Sequence, residues 1–373
     1  MSEERRQEPQ ERGFDLRRML VNAGGALVFP LVAILLSFVI GAVIVMATGN
    51  NPITVYAALI GGAFGSASSI GRTLLYTTPF IFTGLAVAVA FRAGLFNIGG
   101  EGQLYIGAIT AAWLGVSLGF LGPFAIPITL VACLITSFLW GSIPGILKVR
   151  FGAHEVITTI MLNYVGINLA YYLAQHPLRQ KGPIPGTETI DYALRIPIIS
   201  TALGRVNYGI IIALLAAVAV LLLLWRTRRG FEIRAVGLSP GAANYAGMKL
   251  GVNTILALAI GGSLAGLGGG VEILGVYGNM DVPFVSNLGY NGIGVALLGR
   301  NHPVGVVLGA LVFGGLFSGA QEMQFATDVP LQLANVLLAV ILLLVTATKL
   351  VELIVGKRAR DFVSGTHLER GGL

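Results

Sequence analysis

Ten long apolar segments run along this sequence. A helix needs about 20 apolar residues to cross the hydrocarbon core of a bilayer. Of the 373 residues, 55% are hydrophobic and only 11% are charged, which is too little charge to cover a water-facing surface. The sequence therefore predicts an all-α, multi-pass membrane protein with ten spans at approximately 27–47, 72–91, 97–117, 121–147, 155–175, 207–225, 253–276, 285–299, 302–320 and 331–355.

Lys and Arg residues are unevenly divided between the two sides of this arrangement. With the N-terminus inside the cell, 18 of the 24 fall on the cytoplasmic side and five fall outside. Cytoplasmic loops carry excess positive charge, so we expect both termini to be cytoplasmic. The net charge of +7 then reflects orientation in the lipid bilayer and indicates no nucleic-acid partner. The predicted parts are a single transmembrane domain at 21–356, polar tails at 1–20 and 357–373, an extracellular loop at about 176–206 and an inner segment at about 226–250.

Three polar segments, at 96–103, 154–164 and 287–294, lie inside predicted spans. Ionisable and amide side chains are costly there and indicate functional sites. The first and third segments are rich in glycine and precede spans that run in opposite directions. This pattern is typical of two inverted repeats, here of five helices each, whose broken helices meet at a central pathway. The candidate pathway residues are Asn97, Glu101, Gln103, Thr159, Asn163, Tyr164, Tyr290 and Asn291.

Four of the polar residues have simpler structural alternatives. Glu101 is alternatively an interfacial carboxylate that pairs with Arg92 or caps the start of a helix. Asn163 alternatively makes a hydrogen bond between two helices. Glu272 and Glu322 either face a vestibule or lie at solvated helix ends, and the solvated ends are the simpler expectation.

The inner segment contains the signature of a short helix. Ser239 can cap the first free backbone N–H groups, Pro240 suits the first helical position, and Gly247 suits the left-handed residue that ends a helix. A small-residue face on this helix consists of Ala242, Ala243 and Ala246. Because large apolar side chains are scarce there, the pattern favours a protein partner over an anchor on lipid headgroups.

Enzymatic motifs are missing from the sequence. It contains no phosphate-binding loop of the form G-x-x-x-x-G-K-[ST], its histidines are scattered, and its single cysteine is Cys133. We therefore expect this chain to have no enzymatic activity, no metal site and no cofactor. An ion-coupled secondary transporter with Glu101 as the proton or cation site is the alternative to an ATP-driven system. The capped inner helix distinguishes the two, because a self-sufficient carrier does not need it.

Four ordered motifs lie between about 70 and 350. They occupy 94–103, 154–164, 230–247, and 289–293 together with 296–301. They resemble the membrane subunits of bacterial ABC importers for nucleosides and simple sugars, which belong to the larger family of branched-chain amino acid and ribose permeases. The sequence departs from that family's pattern at Ser239, where Asn is expected, but serine remains a competent cap.

This resemblance implies an ATP-driven importer in the bacterial cytoplasmic membrane. Its other parts would be an ATP-binding subunit that holds ATP and magnesium, a second permease chain, and an extracytoplasmic solute-binding protein. The motifs at Asn97 and Glu155 are closest to the nucleoside branch, with simple sugars next, and amides and tyrosines suit neutral, hydroxyl-rich solutes. The residues that the resemblance assigns to coupling with the ATP-binding subunit are Glu232, Arg234, Gly237, Ser239, Ala242, Ala243, Ala246 and Gly247.

Overall fold

Helices make up nearly all of the regular structure of this protein, for which a computed structural model describes residues 34–284, 287–327, 329 and 332–346. The predicted tails at 1–20 and 357–373 lie outside these residues, as do parts of the first and last predicted spans. The helices are α1 (Ile34–Ala47), α2 (Pro52–Phe64), α3 (Ala67–Arg92), α4 (Gly100–Ser117), α5 (Ala125–Phe151), α6 (Glu155–Gln175), α7 (Gly209–Arg226), α8 (Arg228–Leu238), α9 (Pro240–Tyr245), α10 (Leu250–Glu272), α11 (Leu288–Leu298), α12 (Pro303–Thr327) and α13 (Gln332–Thr346). A 3₁₀ helix, Gly119–Phe124, precedes α5, and a π-helical turn, Ile273–Tyr277, follows α10.

The chain divides into two compact units. The larger unit, Val45–Leu338, contains α2 to α12 and every candidate site residue. The smaller unit consists of Met1–Ile44 and Ala339–Leu373, of which the structure describes 34–44 and 339–346.

Among the residues that the structure describes, six helices are long and apolar enough to cross a membrane. They are α3, α5 with the preceding 3₁₀ helix, α6, α7, α10 with the following π-helical turn, and α12. They correspond to six of the ten predicted spans, which confirms the prediction of an all-α, multi-pass membrane protein. The shorter apolar helices are α1, α2 and α11.

Three helices differ from the predicted spans. α2 lies where the hydropathy pattern predicted no helix, although Asn51 caps it through the N–H of Ile53 at 2.9 Å and Pro52 begins it. α11 has 11 residues, so its length of about 17 Å is short of the ~30 Å hydrocarbon core. In α4, every residue from Gly100 to Ala112 is buried, so protein rather than lipid surrounds most of this helix.

Glycines allow α10 to pack closely against its neighbours in the centre of the larger unit. A Cβ atom on Gly107 of α4 would overlap the carbonyl oxygen of Gly266, and one on Gly269 would overlap the carbonyl oxygen of Leu104. A Cβ atom on Gly266 would in turn overlap the hydroxyl of Ser137 in α5. Small residues let helix backbones approach in this way. The high glycine content therefore serves the contacts of α10 with α4 and α5.

The predicted extracellular loop at 176–206 is ordered along the segment that follows α10. The backbone N–H of Ile190 donates to the carbonyl of Gly278 at 2.8 Å, and that of Ile196 donates to Leu274 at 2.8 Å. Backbone N–H groups of this non-helical loop are thus paired with carbonyl groups of the π-helical turn and of the residue after it. The loop is thus packed onto the end of α10 and is not a loose connector.

Candidate functional site

Glu101 caps the start of α11 from a different helix. Its side chain, in the first turn of α4, is only 1% exposed. Its Oε1 accepts the backbone N–H of Asn287 at 2.7 Å, and its Oε2 accepts that of Gly289 at 2.6 Å. A carboxylate at a helix N-terminus also compensates the positive end of the helix dipole. Of the alternatives considered for Glu101, the structure therefore shows the helix cap, while Arg92 binds the carbonyl of Asn301.

Asn163 links α6 to the first and third polar segments. Its Oδ1 accepts the N–H of Gly102 at 2.7 Å, and its Nδ2 donates to the carbonyl of Ile98 at 2.7 Å and to the phenol of Tyr290 at 3.2 Å. The side chain is fully buried. Because it joins α6, α4 and α11, the hydrogen bond between helices that we considered for this residue is confirmed.

Three further buried residues complete this junction. Asn97 accepts the N–H of Gly99 at 2.9 Å and donates to Gln103 at 3.3 Å. Thr159 accepts the N–H of Ile98 at 3.3 Å. We call the set the polar junction, and it consists of Asn97, Glu101, Gln103, Thr159 and Asn163.

The remaining predicted pathway residues lie at the margin of the polar junction. Tyr290 and Asn291 are half-buried in the first turn of α11, directly beside the Glu101 cap. Tyr164 is 59% exposed and therefore points away from Asn163, its neighbour in sequence. The structure thus brings six of the eight predicted residues into hydrogen-bonded contact and leaves Asn291 and Tyr164 outside that network. The polar groups of the buried members serve to hold backbone segments in place.

The predicted helix of the inner segment is present as α9. Ser239 caps it by accepting the N–H of Ala242 at 3.4 Å, Pro240 begins it, and Gly247 beyond its end has a left-handed φ of 78°. The small-residue face is only partly as predicted, because Ala243 is buried inside the fold. Two large apolar side chains of this tip are also almost fully exposed, Leu238 at 87% and Tyr245 at 97%. The exposed surface of the segment therefore combines Ala242 and Ala246 of the predicted face with two large apolar side chains.

Three of the predicted coupling residues make internal contacts that hold the inner segment to the spans. Arg234 donates to the carbonyl of Leu224 at 2.9 Å. A Cβ atom on Gly237 would overlap the carbonyl of Arg92, which shows how closely α8 lies against the end of α3. Glu232 is buried and accepts from Asn253 of α10 at 3.2 Å.

Acidification is expected to remove the stabilising contribution of Glu232. The hydrogen bond from Asn253, and then the charges of Arg228 and Arg229, hold the pKa of this carboxyl below its ordinary value. Such a group stabilises the fold above its unfolded pKa of about 4.3, and this contribution is lost as the pH falls through the folded pKa. The difference in melting temperature between wild type and Glu232→Gln should therefore be largest near neutral pH and shrink below the unfolded value. A difference that stays constant with pH would contradict this, and the exposed Glu188→Gln serves as the control.

A cluster around Trp225 connects four elements at the same end of the molecule, although no sequence pattern indicated it in advance. The Cζ atoms of Arg92 and Arg234 each lie 5.3 Å from the indole centroid, and the ring of His302 lies 4.7 Å from it. Arg92 Nε also donates to the carbonyl of Asn301 at 2.8 Å. Cation–π contacts of this kind are favourable. The Trp225 cluster therefore joins the ends of α3 and α7 to α8 and to the turn between α11 and α12.

Among the described residues, Cys133 and the acidic side chains show no arrangement for a metal ion. Within the ranges that the structure describes, no three His, Cys, Asp or Glu side chains come together in a way that could hold one. Cys133 is buried in α5 and its thiol contacts the carbonyl of Gly107 at 3.2 Å. Its role in the described fold is to pack α5 against α4.

Comparison with known proteins places these features in a family context. The profile of the family described as "Branched-chain amino acid transport system / permease component" matches residues 69–346. The chain is 40% identical over 334 residues to the guanosine ABC transporter permease protein NupP of Bacillus subtilis, which covers 89% of this chain and 96% of the relative. It is 37% identical over 339 residues to the nucleoside ABC transporter permease protein NupB of Lactococcus lactis, with coverage of 88% and 93%. The glucose ABC transporter permease protein TsgB13 of Haloferax volcanii is 32% identical over 329 residues, with coverage of 85% and 87%. No solved structure matches the chain.

Proposed function

Because the chain belongs to the family of branched-chain amino acid transport system permease components, we propose that it is the transmembrane permease subunit of an ATP-driven ABC importer for a nucleoside or a simple sugar. The named solutes of its relatives, guanosine, nucleosides and glucose, support this class. All three carry several hydroxyl groups. The importer lies in the cytoplasmic membrane, and ATP with magnesium binds to a separate subunit.

The observation that carries this proposal is the exposed tip formed by α8 and α9. Leu238 and Tyr245 project almost fully from it, while Glu232 anchors its base to α10. Ala242 and Ala246 are exposed beside these two anchors, and small residues with a few large ones on a polar, arginine-rich segment suit the groove of a partner protein. The exposed tip supports docking of an ATP-binding subunit. The proposed importer also includes a second permease chain, and a solute-binding protein on the opposite side of the membrane.

The proposed topology has ten membrane segments, two inverted five-helix repeats and cytoplasmic termini. Support comes from the pairs α3–α4 and α10–α11. In both, a long helix is followed by a non-helical segment and then by a buried or short helix, and α10 runs antiparallel to α3, with Gly268 beside Phe82 and Gly261 beside Ala86. The first turns of α4 and α11 meet at Gly289, where a Cβ atom would overlap the backbone of Glu101. Glycine-broken helices that meet in this way suit a solute pathway.

The Trp225 cluster offers a route from the docking tip to that pathway. A rigid-body movement of α8 and α9 displaces Arg234, which shares the indole of Trp225 with Arg92. Arg92 holds the turn after α11 through Asn301, and the other end of α11 is held by Glu101. In the proposed mechanism, ATP binding to the partner subunit thereby moves α11 relative to the polar junction.

Copurification tests the proposal. Tagged wild-type chain, purified from its native membrane in mild detergent, is expected to retain a protein that contains a phosphate-binding loop. Tyr245→Asp should reduce the retained amount by about 30-fold, which corresponds to a hot-spot loss of roughly 2 kcal/mol. Tyr192→Asp is the matched control, because that tyrosine is 71% exposed in the loop at 176–206. A chain that purifies alone and drives uptake into proteoliposomes under an ion gradient would contradict the proposal.

A further inference from the structure

One exposed side of α6 carries polar side chains within the membrane-spanning segment. Tyr164, Asn168 and Tyr172 are exposed, as is His176 directly after the helix. These residues recur every four positions, so they lie above one another along the same side of the helix. We call these four residues the α6 stripe.

Asn168 lies deep in this span. α6 has 21 residues, so its length of about 31 Å matches the ~30 Å hydrocarbon core. Asn168 is only three residues, or about 4.5 Å along the axis, from the middle residue Val165. Its Nδ2 donates to the carbonyl of Tyr164 at 2.7 Å, and its Oδ1 has no hydrogen-bond partner among the described residues. An amide oxygen at this depth is costly to leave in lipid, where nothing donates to it.

The exposed faces of two other spans are apolar throughout, as lipid contact requires. In α7 every exposed side chain between 211 and 222 is apolar, and Leu215 is 64% exposed. In α5 the same holds between 128 and 146. The exposed side chains in the first half of α6, Ile157 and Met161, are apolar as well. The α6 stripe is therefore confined to the middle of the helix and the half that leads to the loop at 176–206.

The α6 stripe connects the polar junction to the surface of the molecule. It begins at Tyr164, next to Asn163, whose Nδ2 donates to the phenol of Tyr290 at 3.2 Å. It ends at the loop, where the ring of His176 stacks on that of Tyr172 with centroids 4.7 Å apart. The twelve residues between its ends correspond to about 18 Å along the helix axis. This distance is that from the middle of the span to its end.

We infer that the α6 stripe lines the outer half of the solute pathway and contacts the solute during transport. Its amide and phenol groups both donate and accept hydrogen bonds, which suits water and hydroxyl-rich solutes. Its flat rings offer a surface on which a nucleobase or the apolar face of a sugar can pack. This inference rests on the proposed function, because it names the surface along which that solute moves. It also gives Tyr164, a predicted pathway residue outside the polar junction, a place on the pathway.

Two other surroundings fit the α6 stripe less well. Lipid would leave Oδ1 of Asn168 without a donor. A helix of a second permease chain could supply one, but close helix packing in membranes uses small residues that let the backbones approach. The α6 stripe consists of three large rings and an amide, which hold another helix away. A water-filled pathway satisfies the amide and leaves room for the rings.

Cysteine labelling tests the inference. Cys133 is the single cysteine of the sequence and is fully buried, so the wild-type chain serves as the unlabelled reference. The complete transporter, in lipid nanodiscs that leave both membrane surfaces open, is treated with a charged, water-soluble methanethiosulfonate. Asn168→Cys and Tyr164→Cys should react at least about tenfold faster than Leu215→Cys, because a thiol reacts as its thiolate and is less reactive in apolar surroundings.

Leu215→Cys is the control matched in depth. Leu215 is six residues from Gly209, where α7 begins, and Asn168 is seven residues from Gln175, where α6 ends. Guanosine and glucose are the solutes to test for protection. The one that the complex imports should slow the labelling of Asn168→Cys, by up to about tenfold at ten times its Kd.

Two outcomes would contradict the inference and leave the proposed function standing. Equal labelling rates for Asn168→Cys, Tyr164→Cys and Leu215→Cys would show that lipid or another chain covers the α6 stripe. Fast labelling that the imported solute does not slow would place the stripe in a cleft beside the pathway. Copurification of each variant with the phosphate-loop protein verifies assembly. Fast, solute-sensitive labelling of a chain that lacks this partner and imports under an ion gradient would overturn the proposed function alone.

Discussion

Replacing Glu101 with alanine is expected to abolish solute uptake. The carboxyl group accepts the backbone N–H groups of Asn287 and Gly289 at the start of α11, and Glu101 and Gly289 are buried, so water does not replace the bond to Gly289. An ordinary hydrogen bond contributes about 0.5–1.5 kcal/mol and a buried donor left unpaired costs about 1–3 kcal/mol, so the loss is roughly 2–4 kcal/mol at the start of α11. This helix has no side-chain cap of its own at Asn287. We therefore expect uptake to fall by at least about 100-fold, measured as initial rates of labelled solute entry.

The conservative variant and a matched control sharpen this test. Glu101→Gln retains one acceptor oxygen and should keep part of the activity, whereas Glu188→Ala, in the exposed outer loop, should behave as wild type. Copurification of the ATP-binding subunit with Glu101→Ala should be unchanged, because Glu101 lies in α4 and is not part of the tip at α8 and α9. Uptake at the wild-type rate by Glu101→Ala would show that the polar junction does not control the pathway.

The same variants address the alternative of an ion-coupled carrier. If Glu101 were a cation or proton site, its carboxyl group would have to release its present hydrogen-bond partners and bind the ion in each transport cycle. In the structure both oxygens accept backbone N–H groups, so binding an ion there would break the contacts that hold the start of α11. We expect uptake to be independent of ion gradients in wild type and in Glu101→Gln. Loss of an ion dependence on substitution would support the carrier instead.

Replacing Gly107 with alanine should strongly destabilise the protein. The added Cβ atom would overlap the carbonyl oxygen of Gly266, which belongs to a helix backbone and cannot rotate away. Overpacking a core costs about 1–3 kcal/mol where side chains can adjust, so we expect about 3 kcal/mol or more here. The melting temperature in detergent should fall by on the order of 5–10 °C. Size-exclusion profiles after heating give this value directly.

Gly61→Ala is the matched control for this prediction. Gly61 also lies in a helix, α2, but a Cβ atom added there meets no atom within 4 Å. Alanine has a higher helix propensity than glycine, so this variant should be as stable as wild type or slightly more so. Equal melting temperatures for Gly107→Ala and Gly61→Ala would show that α4 and α10 can move apart without loss of stability.

The sequence alone determined the class of the protein and its locally encoded elements. Membrane insertion follows from the transfer free energy of consecutive apolar residues, so six predicted spans appear as long apolar helices. Likewise Ser239, Pro240 and Gly247 set the limits of α9, because caps act through backbone groups within a few residues. The cap at Asn51 is a local signal of the same kind for α2, but the hydropathy pattern predicted no span at this position.

Only the tertiary structure decided what the polar residues do. The partners of Glu101 lie 186 and 188 residues along the chain, and Asn163 binds a phenol 127 residues away. The burial of Glu272 and of Ala243 likewise depends on which helices pack around them. Hydrophobic periodicity and capping are properties of short segments, whereas a buried polar group takes whichever donor or acceptor the packed backbones bring within about 3 Å. Sequence patterns therefore located the polar segments, and the packing of α4, α6 and α11 determined their contacts.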